Sequence, residues 1–162
     1  MSGGERPRLI LASNSPRRFE LLSAAGFCPE VRAPEVEELT DQGGVGAEEL
    51  VRHNARLKGR AVFDHGTELG TIVVAADTVV ELDGRIFGKP GSVERAVQML
   101  MNLVGKTHRV FTGVWMGQRS RSEVGVRFEE WVECTEVSFR ARDERRVRAY
   151  AERVGASDKA GG

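Results

Sequence analysis

The chain has 162 residues, 40% of them apolar, which is enough to build the core of one domain of ordinary size spanning 1–162. Lysine plus arginine number 24 and aspartate plus glutamate also number 24, so the sequence lacks the basic excess of a protein that coats nucleic acid. Cys28 and Cys134 stand too far apart for a disulfide framework or a zinc site, and neither Met1 to Pro7 nor any later apolar run reads as a signal peptide or a membrane span; the expectation is a soluble cytoplasmic protein with reduced thiols.

Leu9-Ile10-Leu11-Ala12 is an unbroken apolar run suited to a strand covered on both faces. Ser15 followed by Pro16 predicts a helix start, because proline at the first helical position gives up an N–H that has no partner there anyway. Phe19, Leu22 and Ala25 recur at helical spacing until Gly26, a suitable C-terminal cap, and Phe27 to Ala33 reads as extended. Asp41 to Gly46 is expected to be a flexible loop. Beyond it Leu50, Val51, Ala55, Leu57, Ala61 and Val62 repeat as in an amphipathic helix, which places Lys58 beside the apolar stripe. Thr71 to Ala76 is a second buried-type strand that runs into Asp77-Thr78-Val79-Val80, and Asp83-Gly84 signals a hairpin.

Gly88-Lys89-Pro90-Gly91 is a shaped loop. Ser92 then caps a helix with Val93, Ala96, Val97, Leu100 and Leu103 on one side, ended by Gly105. Val110 to Met116 reads as a strand, Gly117 to Gly125 as a polar connection, and Val126 to Arg140 as an extended stretch that pairs back in a hairpin. Asp143 starts a last helix with Val147, Tyr150, Ala151 and Val154 inward, and the polar tail Asp158 to Gly162 has the composition of a frayed terminus. Strands alternating with helices and one hairpin give an α/β fold with a mixed, twisted sheet flanked by helices.

Three groups of residues carry chemistry. Arg17 and Arg18 stand in the first helical turn, where the macrodipole disfavours cations. With Ser13, Ser15 and the free N–H groups of that turn they form a cradle for phosphate. Spacing alone equally allows solvated arginines and Ser15 as a plain cap. Asp77, at the end of a strongly apolar strand, is costly to bury unless it binds a metal, a proton or a partner; the other reading is an aspartate bonded to turn backbone. Glu37 and Glu38 offer a second carboxylate to a hard divalent cation, and Lys58 and Lys89 could neutralise phosphate oxygens. His53, His65 and His108 share no metal spacing and are given no catalytic role.

Six segments follow in order: Leu11-Ala12-Ser13-Asn14-Ser15-Pro16-Arg17-Arg18 with Glu20-Leu21-Leu22; Ala75-Ala76-Asp77-Thr78-Val79-Val80; Gly88-Lys89-Pro90; Gly105-Lys106-Thr107-His108-Arg109-Val110 with Thr112-Gly113-Val114; Thr135-Glu136-Val137-Ser138-Phe139; and Asp158-Lys159-Ala160-Gly161. In this combination the sequence resembles the Maf family of nucleoside triphosphate pyrophosphatases over nearly its whole length. The resemblance implies a Maf/ITPase-like fold and hydrolysis between the α and β phosphates of a nucleoside triphosphate with Mg2+ or Mn2+. It implies Ser13, Arg17 and Arg18 as the phosphate-gripping loop, Lys58 and Lys89 as phosphate-binding lysines, Asp77 as the catalytic acid, and Asp77 with Glu38 as metal ligands.

Ser-Pro-Arg-Arg, Ala-Asp-Thr and Asp-Lys-Ala-Gly look like the branch acting on dTTP and UTP, with the 7-methyl-GTP branch as an alternative. A catalytically impaired member that binds nucleotide or acts in septum formation is another. Charge balance and the lack of long apolar runs give the expectation of no nucleic-acid or membrane partner, and the resemblance implies that the chain could form a homodimer. The family pattern continues past Asp158 to Gly161 into further strands carrying a glutamine, whereas this sequence stops at Gly162. Ala156 and Ser157 replace a common Glu-Pro pair, and Gly59 replaces a usual alanine at a helix-propensity cost of about 1 kcal/mol.

Overall fold

The computed structural model describes residues 7–40, 44–120, 125–155 and 159–161. The first six residues, Asp41 to Gly43 of the expected loop, 121–124 of the polar connection, Ala156 to Asp158 and Gly162 lie outside the described residues. Elements follow in the order β1 (Leu9–Leu11), α1 (Pro16–Ala24), β2 (Glu30–Val31), α2 (Ala47–Asp64), β3 (Ile72–Leu82), β4 (Arg85–Phe87), α3 (Val93–Leu103), β5 (Thr107–Arg119), β6 (Val126–Ser138) and α4 (Glu144–Val154). The strands form one mixed sheet in the order β2-β1-β3-β5-β6, with β4 paired to β3 off that path. This is the expected α/β class.

β1 pairs in parallel with β2 and with β3, in the register Leu9↔Ile72, Ile10↔Val73 and Leu11↔Val74. β1 has three residues and β3 has eleven, so β3 runs on past the point where β1 ends. Asp77 therefore lies inside β3 and not at its end as the sequence suggested, but it still emerges beyond the carboxyl end of β1. β3 and β4 make the expected hairpin, with Asp83 at φ 53° and Gly84 at φ 83° supplying the two left-handed residues that a tight hairpin turn needs. The β5–β6 hairpin is closed at one end by Ser120 N–H to Gly125 C=O and at the other by Phe139 N–H to Lys106 C=O.

The chain divides into two compact units. The first comprises Met1–Thr40, Arg52–Asp77 and Gly113–Trp131; the second comprises Asp41–Val51, Thr78–Thr112 and Val132–Gly162. The first has a core of Ile10, Ala12, Ala55, Val62, Phe63, Val73, Ala75 and Trp115. In the second, α3 packs on α4 through Ala96, Val97, Leu100, Val147 and Ala151; Ala47, Leu50, Val51, Val79 and Phe111 form another cluster, and Val80, Phe87 and Leu103 a third.

Four further expectations are corrected. α1 buries no residue, and Phe19 is 41% exposed, so its apolar spacing does not face a core. The extended stretch after it shrinks to the two residues of β2, and Tyr150 of α4 points outward while Val147 and Ala151 are buried. The tail also differs from a frayed end: Gly161 is buried, its N–H donates to Gly88 C=O, and a Cβ there would meet Val80 Cγ2 at 2.8 Å. Lys159 donates to the Val154 carbonyl at the end of α4. Both cysteines are free and exposed, and no helix of the described residues is long and apolar enough to cross a membrane.

Candidate active site

The site begins where β1 gives way to α1. The Ala12 N–H still bonds to Val74 C=O at 2.8 Å, which fixes the next residue, Ser13, beside β3. Ser13 is buried, and its Oγ accepts from the Ser15 N–H at 3.1 Å and from Arg18 Nη1 at 3.1 Å. Ser15 occupies the N-cap position, with Pro16 at the start of the helix, but makes no side-chain cap; Ser13 satisfies the turn instead. Arg18 Nη1 also donates to Ala76 C=O at 2.8 Å and so ties the turn to β3 one residue before Asp77. Burial lowers the pKa of this guanidinium and the charge of Arg17 lowers it further, while Asp77 and Glu38 oppose both effects. Arg17 is exposed. The two arginines thus separate into an inward anchor and an outward cation. Beside them a hollow of about 330 Å³ is lined by Ser13, Asn14, Ser15, Pro16, Phe19, Glu20 and Val31.

α2 supplies the second wall. Its buried face runs Asn54, Ala55, Lys58, Gly59, Val62 and Phe63, the spacing of one helical stripe, with Leu57 half-buried at its margin. Two polar side chains, one turn apart, sit inside that stripe. Lys58 Nζ lies 2.8 Å from Asp77 Oδ1 and 2.7 Å from Glu38 Oε2, so a single ammonium joins both carboxylates. Lys58 and Asp77 are each 8% exposed, and breaking so buried a pair from one side costs about 3–5 kcal/mol. Asn54 Nδ2 donates to Asp77 Oδ2 at 3.1 Å and to Leu39 C=O at 3.1 Å, and its Oδ1 accepts from the Leu39 N–H at 2.9 Å. The Leu39 N–H can bond only to the amide oxygen, which fixes the orientation of the side chain.

The first unit therefore brings together Ser13, Arg18, Glu38, Lys58 and Asp77. Lys89 belongs to the second unit, where it is exposed on the loop after β4, between Gly88, which is held by Gly161, and buried Pro90. Glu37 makes no contact that places it with these groups among the described residues. Asn54 was missed from the sequence; the available signal was an amide interrupting the apolar stripe four residues before Lys58.

The fold and this centre define an α/β protein with a serine–arginine turn beside a buried acid–lysine cluster. The chain belongs to the Maf-like protein family, whose model matches residues 8–162. It is 41% identical over 155 residues to a dTTP/UTP pyrophosphatase of Akkermansia muciniphila, an alignment covering 96% of this chain and 77% of that protein. A dTTP/UTP pyrophosphatase of Thermotoga maritima is 41% identical over 154 residues, covering 95% of this chain and 71% of the relative. One of Bacteroides thetaiotaomicron is 37% identical over 158 residues, covering 97% and 78%.

Proposed function

We propose that the chain hydrolyses nucleoside triphosphates, dTTP and UTP foremost, to the monophosphate and pyrophosphate. The observation that carries this reading is the convergence of Asp77 and Glu38 on the Lys58 ammonium, next to a turn in which Ser13 is held by Arg18. Family membership and the names of the relatives support it.

The residues divide the work. Ser13, the N-terminal N–H groups of α1 and the outward Arg17 would bind phosphate oxygens, with Arg18 fixing the turn from behind. Lys58 and Lys89 would add positive charge to a substrate whose leaving group is pyrophosphate, a positioning and electrostatic task. Asp77, fixed by Lys58 on one oxygen and by Asn54 on the other, would take the proton from the attacking water. Asp77 and Glu38 already share one cation, the Lys58 ammonium, so their oxygen donors fit a divalent Mg2+ or Mn2+ ion. Among the described residues no group of three or more His, Cys, Asp or Glu could hold a metal ion, and Asp77 and Glu38 would hold one together with phosphate oxygens of the substrate. When bound, such an ion lowers the pKa of water and offsets developing negative charge.

The test is pyrophosphate release from a panel of dTTP, UTP, other canonical triphosphates and 7-methyl-GTP with Mg2+. Release fastest from dTTP or UTP, falling by about 10²–10⁴-fold in Asp77→Asn, is expected. No release from any substrate, or an Asp77→Asn protein as fast as the parent, would overturn the reading. Preference for 7-methyl-GTP would replace the proposed substrate.

A further inference from the structure

We infer that Asn54 is a positioning residue that holds the Glu38-Leu39 segment against Asp77, an inference that rests on the proposed triphosphate hydrolysis. Asn54 is 3% exposed, and its amide is committed on every donor: one Nδ2 proton goes to Leu39 C=O and the other to Asp77 Oδ2, while Oδ1 takes the Leu39 N–H. Both backbone groups of Leu39 thus end on one side chain. The arrangement matters because residues 32–40 form no helix or strand, so Glu38 stands on a segment without the backbone ladder that fixes Asp77 in β3. Asn54 substitutes for that ladder.

Two physical arguments separate this role from plain packing. A buried amide gains little net stability from its hydrogen bonds and is costly if any is lost, so an apolar residue would fill this stripe of α2 with less at stake. The Lys58 ammonium also joins Glu38 to Asp77, but it is a flexible point charge with three rotatable donors and cannot fix the plane of either carboxylate. With Oδ1 on Lys58 and Oδ2 on Asn54, the Asp77 carboxylate is held at both oxygens. Lys58 and Asn54 lie one helical turn apart on α2, so the helix sets their spacing.

The experiment compares parent, Asn54→Ala, Glu38→Gln and the double variant, reading kcat and KM for dTTP together with amide hydrogen exchange at Leu39. Asn54→Ala is expected to lower kcat by about 10–100-fold, as a misplaced catalytic group does, with KM within about threefold. The double variant should be no more than about threefold slower than Glu38→Gln, because the two changes remove one shared arrangement. Leu39 should exchange at least about tenfold faster in Asn54→Ala. If Asn54→Ala does not fold, Asn54→Asp keeps the shape and the acceptor for the Leu39 N–H but loses both Nδ2 donors, to Asp77 Oδ2 and to Leu39 C=O; its kcat should fall while the Leu39 N–H stays protected. Multiplying penalties, an unchanged kcat in a folded variant, or equal Leu39 exchange in parent and Asn54→Ala would overturn the inference. A parent without turnover would defeat the proposed function instead, and the Leu39 exchange would still decide whether Asn54 holds the segment.

Discussion

Gly59 follows Lys58 on the buried face of α2, and by propensity alone it is a weak point worth about 1 kcal/mol against alanine. A Cβ there would stand 2.0 Å from Trp115 Cε3 and 2.6 Å from Cδ2, so the indole lies directly on the helix backbone. Gly117 is pressed by the same ring, with a Cβ placed 2.4 Å from Trp115 Cη2, and Phe63 and Phe128 meet the indole at centroid distances of 5.9 and 5.4 Å. Trp115 has no room to retreat. Overpacking of this kind costs about 1–3 kcal/mol and exceeds the propensity gain, so Gly59→Ala is expected to lower Tm by about 2–8 °C. Thermal melts should show most of that loss recovered in Gly59→Ala/Trp115→Leu relative to Trp115→Leu alone, because the clash needs both partners. Equal penalties in the two backgrounds would show that the indole is not the obstacle. The missing Cβ also lets α2 approach the sheet at the turn that carries Lys58, which links a packing detail to the geometry of the acid pair.

Among the elements, α4 is held by both its ends and a narrow buried face, Val147 and Ala151. Asp143 Oδ1 accepts from the Arg146 N–H at 2.9 Å, and Gly155 closes the helix in the left-handed conformation at φ 60°. Asp143→Ala is expected to cost about 1 kcal/mol, read as a lower urea midpoint with unchanged m, and Asp143→Asn should cost only a fraction of that. β6 is the last strand of the sheet order and is exposed along nearly its whole length; Glu129, Glu130, Glu133 and Glu136 place charge on that edge, as strands open to pairing commonly do. Helices with strong periodicity, α2 and α3 above all, and the Ser92 cap of α3 could be read from sequence because their signals are local. The same holds for the Asp83-Gly84 turn. Register is not local: that β3 outruns β1, carrying Asp77 mid-strand, follows from pairing across more than sixty residues. α1 misled for the opposite reason, its spacing being helical while none of its apolar side chains is buried. The site divides in the same way. Charged residues beside apolar runs marked Arg18, Lys58 and Asp77, whereas Asn54 acts through partners 15 and 23 positions away and carries no charge to betray it.

For the whole molecule, stability against pH turns on a histidine that the proposed reaction does not use. His108 on β5 is 3% exposed, meets Phe139 edge-on at a centroid distance of 4.6 Å, and its Nδ1 has no hydrogen-bond partner among the described residues. Burial holds its pKa below the ordinary histidine value. The folded chain therefore keeps the imidazole neutral under conditions in which the unfolded chain, titrating near about 6.5, takes up a proton. Stability from this group is complete above about pH 6.5 and is lost as pH falls toward the depressed folded pKa, because the unfolded state then binds the extra proton. One such group gives a slope of at most about 1.4 kcal/mol per pH unit. Carboxylates act in a lower window. Hydrogen bonds from Arg32 and Arg8 hold Glu30 below its usual range, and a hydrogen bond from Arg56 does the same for Glu130, so their contribution is intact above about pH 4.3 and disappears only below it. Urea midpoints measured from pH 7.5 to 5 should therefore fall in the parent and stay flatter in His108→Phe, which keeps an aromatic ring against Phe139 without a titrating nitrogen. Parallel curves for the two proteins would show that His108 does not carry the loss. Extended to pH 3.5, the curves of both proteins should fall together below about pH 4.3, the loss the shared carboxylates contribute.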